Sequence, residues 1–244
     1  MIDFIETIDK IDANILLALN SMHCEFFDRF MSVATGKFIW IPFYAAIALM
    51  IIYRQGWRRG LAWLLITALA VALADQICAT VIRPLVCRMR PANEMNPLSD
   101  FVHTVGGYRG GLYGFPSCHG SNSSALALMV CLLIRQKRIV VLMTGWTVLN
   151  VYTRIYLGVH YPGDIVTGIV IGSCCALLCH WIGRRSIERL SIPRRAERGS
   201  FTIAFPSMFQ YGGVMGMTRM SVPVRAVPVA VLLVTLVTIG FVSI

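Results

Sequence analysis

Long runs of apolar residues, separated by short polar connections, dominate this chain of 244 residues. A helix needs about 20 residues to cross the hydrocarbon core of a membrane. Six runs approach or reach that length, at 38–53, 59–82, 120–134, 139–157, 164–183 and 223–244. The first and third runs are short, so we expect their helices to extend into the flanking segments. The pattern predicts an all-α fold, a polytopic bundle of six transmembrane helices.

The first 20 residues follow a different pattern, in which isoleucine, leucine and acidic side chains recur at helical spacing. The apolar positions are Ile5, Ile8, Ile15 and Leu19, and the acidic positions are Asp3, Glu6, Asp9 and Asp12. This predicts an amphipathic helix that lies on the membrane surface. A secretory signal would need basic residues followed by an apolar core. The acidic residues stand at those positions, so we do not expect this segment to be a signal peptide.

These patterns divide the chain into four parts. We expect an amphipathic membrane-surface segment at 1–37, a transmembrane core at 38–183, a basic cytoplasmic linker at 184–222 and a C-terminal transmembrane helix at 223–244.

Composition supports a membrane protein. Hydrophobic residues make up 57% of the chain and charged residues only 14%, and the mean hydropathy is +0.68. Soluble domains carry about 25% charged residues. The net charge of +10 comes largely from short clusters between apolar runs, which fits membrane topology better than a nucleic-acid partner.

The basic clusters also predict an orientation. They follow alternate apolar runs, at 54–59, 135–138 and 184–198, so they belong to one side of the membrane. The positive-inside rule makes that side the cytoplasm. The segments 83–119 and 158–163 then face the opposite compartment.

Three arginines stand out on that opposite side. Arg83, Arg90 and Arg154 all lie near the ends of apolar runs. A guanidinium offers a fork of donors that matches the oxygens of a phosphoryl group. For each arginine alone, a role as a topology anchor is the simpler explanation.

Two histidines accompany these arginines. His119 follows Pro116 and Ser117 at the predicted start of the third helix, where unpaired backbone N–H groups and the helix dipole favour an anion. Asp164 comes four residues after His160, so one helical turn could bring its carboxylate to the imidazole. One histidine could attack phosphorus while the other protonates the leaving oxygen. Alternatively, the histidines are surface residues, and 158–164 is a turn before a capped helix.

The residues just described fall into three clusters, at 83–91, 115–120 and 153–164. Together these clusters resemble the motifs of the type 2 phosphatidic acid phosphatase superfamily, which includes vanadium haloperoxidases and bacterial lipid phosphatases. Its first motif, Lys-x6-Arg-Pro, corresponds to Arg83 and Arg90-Pro91, with arginine in place of lysine. Its second motif, Pro-Ser-Gly-His, corresponds to 116–119, with Cys118 in place of glycine. Its third motif, Ser-Arg-x5-His-x3-Asp, corresponds to 153–164, with Thr153 in place of serine. The resemblance covers about 38–183.

The resemblance implies a role for each matched residue. His160 would be the nucleophile that forms a phosphohistidine, Asp164 would orient it, and His119 would be the general acid. The phosphoryl oxygens would be bound by Arg83, Arg90, Ser117, Arg154 and the backbone N–H of Cys118. Because the arginines neutralise the phosphate charge, no metal or other cofactor is expected.

The implied function is a phosphatase that acts on an anionic membrane lipid in the bilayer. In a bacterial inner membrane with an outward-facing site, we expect undecaprenyl diphosphate or a lipid A phosphate as the substrate. Alternatives are phosphatidylglycerophosphate or phosphatidic acid, a vanadium haloperoxidase, or a catalytically silent lipid-binding or transport protein.

Some residues near the clusters have open roles. Asp75 could support the site or make an interhelical hydrogen bond, and His103, Arg109 and Tyr113 could contact the lipid head group. Cys118 lies beside arginines at a predicted helix N-terminus, which favours thiol reactivity. We therefore consider that Cys118 is oxidisable and that it could pair with Cys87; the alternative is that both are packing residues.

Overall fold

The chain is predominantly helical in the computed structural model, which describes residues 2–189, 200–206, 217–223 and 226–243. The α-helices are α1 Ile2–Asn20, α2 Glu25–Ala34, α3 Ile41–Gln55, α4 Trp57–Gln76, α5 Arg83–Val86, α6 Cys118–Ile134, α7 Lys137–Tyr156, α8 Pro162–Arg189 and α9 Val227–Val242. Short 3-10 turns occur at Phe38–Trp40, Ser99–Phe101 and Val105–Gly107.

Each apolar run of the sequence corresponds to a helix. Among the described residues, three helical stretches are long and apolar enough to cross a membrane, at Phe38–Gln55, Trp57–Val86 and Pro162–Glu188. Cys118–Ile134 and Val227–Val242 are shorter apolar helices. Helix α6 is the centre of the bundle, because it packs against α3, α4, α7 and α8, while α9 packs against α3 and α2.

The N-terminal segment contains two helices that pack on the bundle. Helix α1 contacts α7 and α8, and α2 contacts α7 and α9. Leu16 is fully buried and Asp12 is nearly so. Asn20 donates a hydrogen bond of 2.7 Å to the carbonyl of Tyr156 at the end of α7. The acidic side of α1 is therefore partly turned towards protein, which the amphipathic pattern did not predict.

A π-helical turn at Ile77–Ile82 joins α4 to α5. Pro84 lies two residues after the turn, and a proline has no N–H to donate to the carbonyl four residues earlier, here that of Thr80. A widened turn of this kind is a common response to such an interruption, and it often occurs beside functional residues. The turn sets the position of Arg83, the first residue of α5, relative to α4.

Helices α6 and α8 approach each other closely along small residues. A Cβ atom added at Gly168 would overlap the carbonyl oxygen of Ser117, and one added at Gly172 would overlap that of Ser121. Ser124 also donates a hydrogen bond of 3.2 Å to the carbonyl of Ile169. Small residues at a helix interface allow this backbone contact in membrane proteins. The contact fixes the start of α6 relative to the start of α8.

The basic connections meet at one end of the bundle, as the alternation of runs predicted. Arg54, Arg59, Arg135 and Arg184 line one polar cavity of about 480 Å³. Arg194, Arg195 and Arg198 of the same predicted side lie outside the described residues.

The predicted linker at 184–222 includes structure that the sequence did not suggest. Strands β1 Ser200–Pro206 and β2 Met217–Pro223 pair in an antiparallel hairpin. The remainder of this linker, at 190–199 and 207–216, lies outside the described residues. The predicted last span at 223–244 contains α9, which begins at Val227.

Candidate active site

The three sequence clusters meet at the other end of the bundle from the basic cavity. The backbone N–H of Ser117 donates to the carbonyl of Asp164 at 3.0 Å, which joins the second cluster to the third. Arg83 Nη2 donates to the carbonyl of Pro116 at 3.1 Å, which joins the first to the second. Arg90 Nη1 donates to the carbonyl of Val159 at 3.1 Å, which joins the first to the third.

His160 lies at the centre of this site, in the loop before α8. Its Nδ1 is 3.3 Å from Oδ2 of Asp164, and its Nε2 is 3.0 Å from Nη1 of Arg90. Because the carboxylate accepts and the guanidinium donates, these contacts select the tautomer with the proton on Nδ1. The lone pair of Nε2 therefore points towards the arginines.

The three predicted arginines surround His160 from three separate elements, since Arg83 begins α5, Arg90 lies in the following segment and Arg154 lies near the end of α7. The Nε atoms of all three are buried and have no hydrogen-bond partner among the described residues. Leaving a buried donor unpaired costs about 1–3 kcal/mol. Converging donors of this kind fit the oxygens of a phosphoryl group.

The electrostatics agree with a site built for an anion. Burial and repulsion from Arg154 and Arg83 lower the pKa of Arg90 to about 10. Burial, followed by the charges of Arg90 and Arg154, holds the pKa of His160 well below its usual value of 6.5. His160 is therefore a neutral imidazole at neutral pH, which is the form that can act as a nucleophile.

The start of α6 brings the second cluster to the same place. Ser117 is fully buried at the N-cap, where its Oγ accepts from the N–H of Gly120 at 3.4 Å. His119 lies in the first turn of α6 and is close enough to Arg154 and His160 for electrostatic interaction with both.

Cys118 does not have the positive φ that would strain it in place of glycine; among the described non-glycine residues only Cys87 and Arg135 have one. Its Sγ is 2.9 Å from Nη2 of Arg83. Cys87 is exposed, and its Sγ lies 3.1 Å from the carbonyl of Pro84. Both cysteines are free thiols in this structure.

The residues with open roles have defined contacts. Asp75 accepts a hydrogen bond of 2.8 Å from Asn122 of α6, which is the interhelical alternative. His103 Nε2 lies 3.0 Å from Asp28, and Arg109 donates to the carbonyl of Ala92 at 2.9 Å. Tyr113 forms an isolated backbone bridge with Met89. None of these described contacts reaches His119 or His160.

Four further residues reach the site that the sequence did not single out. Thr35, just after α2, accepts a hydrogen bond of 2.8 Å from Nη1 of Arg154. Tyr108 lies under the same guanidinium, and its hydrogen bond to Arg154 lowers the pKa of the phenol. Arg88 and Asp12 contact Asp164 and its helix. Of these four residues, only Arg88 could have been noticed from the sequence, because it lies inside the first motif.

An apolar cavity of about 750 Å³ adjoins His119 between α3, α4, α6 and α7. Its wall includes Trp40, Tyr44, Leu64, Val71, Leu126 and Trp146. In the part of the chain that the structure describes, no group of three or more His, Cys, Asp or Glu side chains could hold a metal ion. The site therefore combines a cationic centre, formed by Arg83, Arg90 and Arg154, with an adjoining apolar cavity.

Comparison with known proteins agrees with this architecture. A lipid A 4′-phosphatase of Bacteroides thetaiotaomicron is 43% identical over 76% of this chain and 83% of its own length. A lipid A 4′-phosphatase of Porphyromonas gingivalis is 34% identical over 68% and 70%. An undecaprenyl-diphosphatase of Sulfolobus acidocaldarius is 27% identical over 71% and 75%.

A solved structure shares the fold. It is a transmembrane PAP2-type phosphatidylglycerolphosphate phosphatase from Bacillus subtilis, with a TM-score of 0.54, 22% identity and coverage of 73% of this chain and 87% of that one. The profile of the PAP2 superfamily matches residues 59–188, which contain all three clusters. The chain belongs to the PAP2 superfamily.

Proposed function

We propose that this protein removes a phosphate from a lipid of the bacterial envelope, by way of a phosphohistidine at His160. The observation that carries the proposal is the convergence of three buried, unpaired guanidinium Nε donors around a neutral imidazole. Those donors would bind the three equatorial oxygens of the phosphoryl group in the transition state. The negative charge of the phosphoryl group, which Mg²⁺ neutralises in other phosphoryl-transfer sites, would then be neutralised by the arginine side chains.

The reaction would proceed in two steps. Nε2 of His160 attacks phosphorus as the bond to the lipid oxygen breaks, and His119 gives its proton to that oxygen. Arg90 Nη1, which contacts Nε2 in this structure, would move onto a phosphoryl oxygen. In the second step His119 takes a proton from water, the water oxygen attacks phosphorus, and the phosphohistidine bond breaks to release inorganic phosphate.

An envelope lipid is the substrate class that best fits the surroundings of His119. The apolar cavity beside it has a volume of about 750 Å³, and His119, which lines that cavity, also interacts electrostatically with Arg154 and His160. Among envelope lipids we favour a lipid A phosphate, because relatives at 43% and 34% identity carry that activity in their names. Undecaprenyl diphosphate is the second candidate, supported by the more distant relative at 27%.

We further propose six membrane spans in the bacterial inner membrane, with the site facing the periplasm. The arginines that line the basic cavity lie at the end of the bundle away from His160. By the positive-inside rule that end is cytoplasmic. The spans would be α3, α4, α6, α7, α8 and α9, of which α7 carries Lys137 and Arg138 at its start and Arg154 near its end.

A substrate panel tests the proposal. The purified protein in detergent would be offered lipid A, undecaprenyl diphosphate, phosphatidylglycerophosphate and phosphatidic acid, with and without EDTA and with vanadate as a competitor. We expect the highest kcat/KM for phosphate release from lipid A, full activity in EDTA and competition by vanadate. A preference for undecaprenyl diphosphate would select the second candidate. Lack of phosphate release from every lipid would contradict the enzymatic proposal and favour a lipid-binding protein.

A further inference from the structure

Arg88 lies between two buried carboxylates from opposite parts of the chain. Its Nη1 is 2.8 Å from Oδ1 of Asp164 and 2.8 Å from Oδ2 of Asp12, and its Nη2 is 2.9 Å from Oδ1 of Asp9. The side chains of Asp164 and Asp12 are 1% and 8% exposed, whereas that of Asp9 is 60% exposed. The guanidinium also stacks on Tyr161, 4.0 Å from the ring centroid.

Asp12 makes a second contact, with the helix that carries Asp164. Its Oδ1 accepts a hydrogen bond of 2.8 Å from the N–H of Gly163, in the first turn of α8. The first N–H groups of a helix have no partner within the helix, and a side-chain oxygen can satisfy them. A Cβ atom at Gly163 would lie 2.7 Å from Oδ2 of Asp12, so glycine is what permits this approach.

These contacts form one chain from α1 to the imidazole. Arg88 occupies Oδ1 of Asp164, while Oδ2 accepts from the N–H of Tyr161 at 3.0 Å and faces Nδ1 of His160. A buried carboxylate is strongly disfavoured unless it is paired, and removal of one partner leaves an uncompensated charge. Arg88 therefore keeps Asp164 ionised and fixes its plane, and Asp12 holds Arg88 in place.

We propose that Asp12 and Arg88 are positioning residues, through which α1 aligns Asp164 and hence His160. The proposal rests on the proposed function, in which His160 is the nucleophile. Helix α1 is then a part of the active enzyme, in addition to any contact it makes with the membrane.

Steady-state kinetics of isosteric and conservative variants test this pair. Arg88→Gln removes the charge between the carboxylates, so we expect kcat to fall about 10- to 100-fold, as for other outer partners of catalytic groups. KM should change less than about threefold, because the phosphate-binding arginines are untouched. Arg88→Lys retains the charge and should recover a substantial part of kcat.

Asp12→Asn should disturb the fold least, since the amide oxygen of the asparagine can still accept the hydrogen bond from the N–H of Gly163. We expect a kcat loss of about tenfold, and no further loss when it is combined with Arg88→Gln, because coupled residues are non-additive. The matched control is Glu25→Gln, which breaks an exposed ion pair with Arg29 on the neighbouring helix and should leave kcat unchanged. Asp9→Asn should lower kcat less than Asp12→Asn.

The outcomes separate this proposal from the one on which it rests. If His160→Ala is inactive while Asp12→Asn and Arg88→Gln keep kcat within twofold, the positioning role is wrong and the proposed function stands. A lowered melting temperature with a normal kcat in the folded protein would also overturn it. If Arg88→Gln cannot be purified as a folded protein, Asp12→Asn decides by the same criteria. An active His160→Ala protein would overturn the proposed function itself.

Discussion

Nδ1 of His160 lies 3.3 Å from Oδ2 of Asp164, and both side chains are almost completely buried. The four-residue separation places the carboxylate in the first turn of α8 and the imidazole in the loop before it. A carboxylate in this position fixes the tautomer of the ring, and in the proposed mechanism it would stabilise the cation that forms when Nε2 attacks phosphorus. The pair therefore orients Nε2 towards the cationic centre.

Replacement of either histidine should abolish turnover. We expect His160→Ala and His119→Ala each to lower kcat by at least about 10³-fold, and Asp164→Asn to cost less because it orients rather than attacks. His23→Ala, which removes an imidazole stacked on His103, serves as the control. Phosphate release from the purified variants, each checked for a single folded species, measures the effect. Near-normal turnover by His160→Ala would exclude it as the nucleophile.

Thr35 should matter for phosphate binding through Arg154. Thr35→Val removes the acceptor that lies 2.8 Å from Nη1 of Arg154, and a hydrogen bond to a charged group contributes about 1.5–3 kcal/mol. We expect kcat/KM to fall about tenfold or more, mainly through KM, with recovery in Thr35→Ser. Equal kinetics for the valine and serine variants would show that the hydroxyl has no role in holding Arg154.

The contact between α6 and α8 should tolerate no added volume. Gly172→Ala places a methyl group against the carbonyl of Ser121, and the helices must separate to accept it. Overpacking of this kind costs about 1–3 kcal/mol, and it also shifts Ser117 relative to Asp164. We expect a lower melting temperature and reduced activity. Gly145→Ala, where nothing lies within 4 Å of the added atom, should behave like the parent protein.

The neutral state of His160 predicts a pH dependence of stability. Its pKa in the folded protein is held well below 6.5, so below pH 6.5 the unfolded chain binds more protons at this residue than the folded protein does. Its contribution to stability is complete above pH 6.5 and is lost as the pH falls towards the lowered pKa. The melting temperature of His160→Gln should therefore decrease less between pH 6.5 and pH 5 than that of the parent. Identical slopes would contradict this assignment.

The orientation can be measured by labelling a cysteine in the segment 83–119, which the proposed topology places in the periplasm. Val105→Cys lies in a 3-10 turn between the first and second clusters. Cys24 and Cys87 would be replaced by serine, and the exposed Cys174 lies within the apolar helix α8. A membrane-impermeant thiol reagent should then modify the new cysteine in intact spheroplasts. Modification that requires permeabilised membranes would place the site in the cytoplasm and invert the proposed topology.

Helix positions followed closely from the sequence. The runs at 120–134, 139–157 and 164–183 became Cys118–Ile134, Lys137–Tyr156 and Pro162–Arg189. The length of an apolar run predicts such a helix, because the backbone N–H and C=O groups of a membrane-spanning segment must form hydrogen bonds within that segment. The hairpin of β1 and β2 was not predicted, since its residues were assigned to a linker by their composition.

The sequence by itself determined the helical membrane class and the residues of the three clusters, because these depend on apolar length and on fixed local spacing, such as the four residues from His160 to Asp164. The tertiary structure decided which groups surround those residues. Asp12 and Arg88 are separated by 76 positions along the chain, and Thr35 and Arg154 by 119. Spacing carries no information about such partners, because packing of α1 and α2 against the bundle creates their contacts. The same packing favours glycine at 163, since a Cβ atom there would lie 2.7 Å from Oδ2 of Asp12 in its observed position.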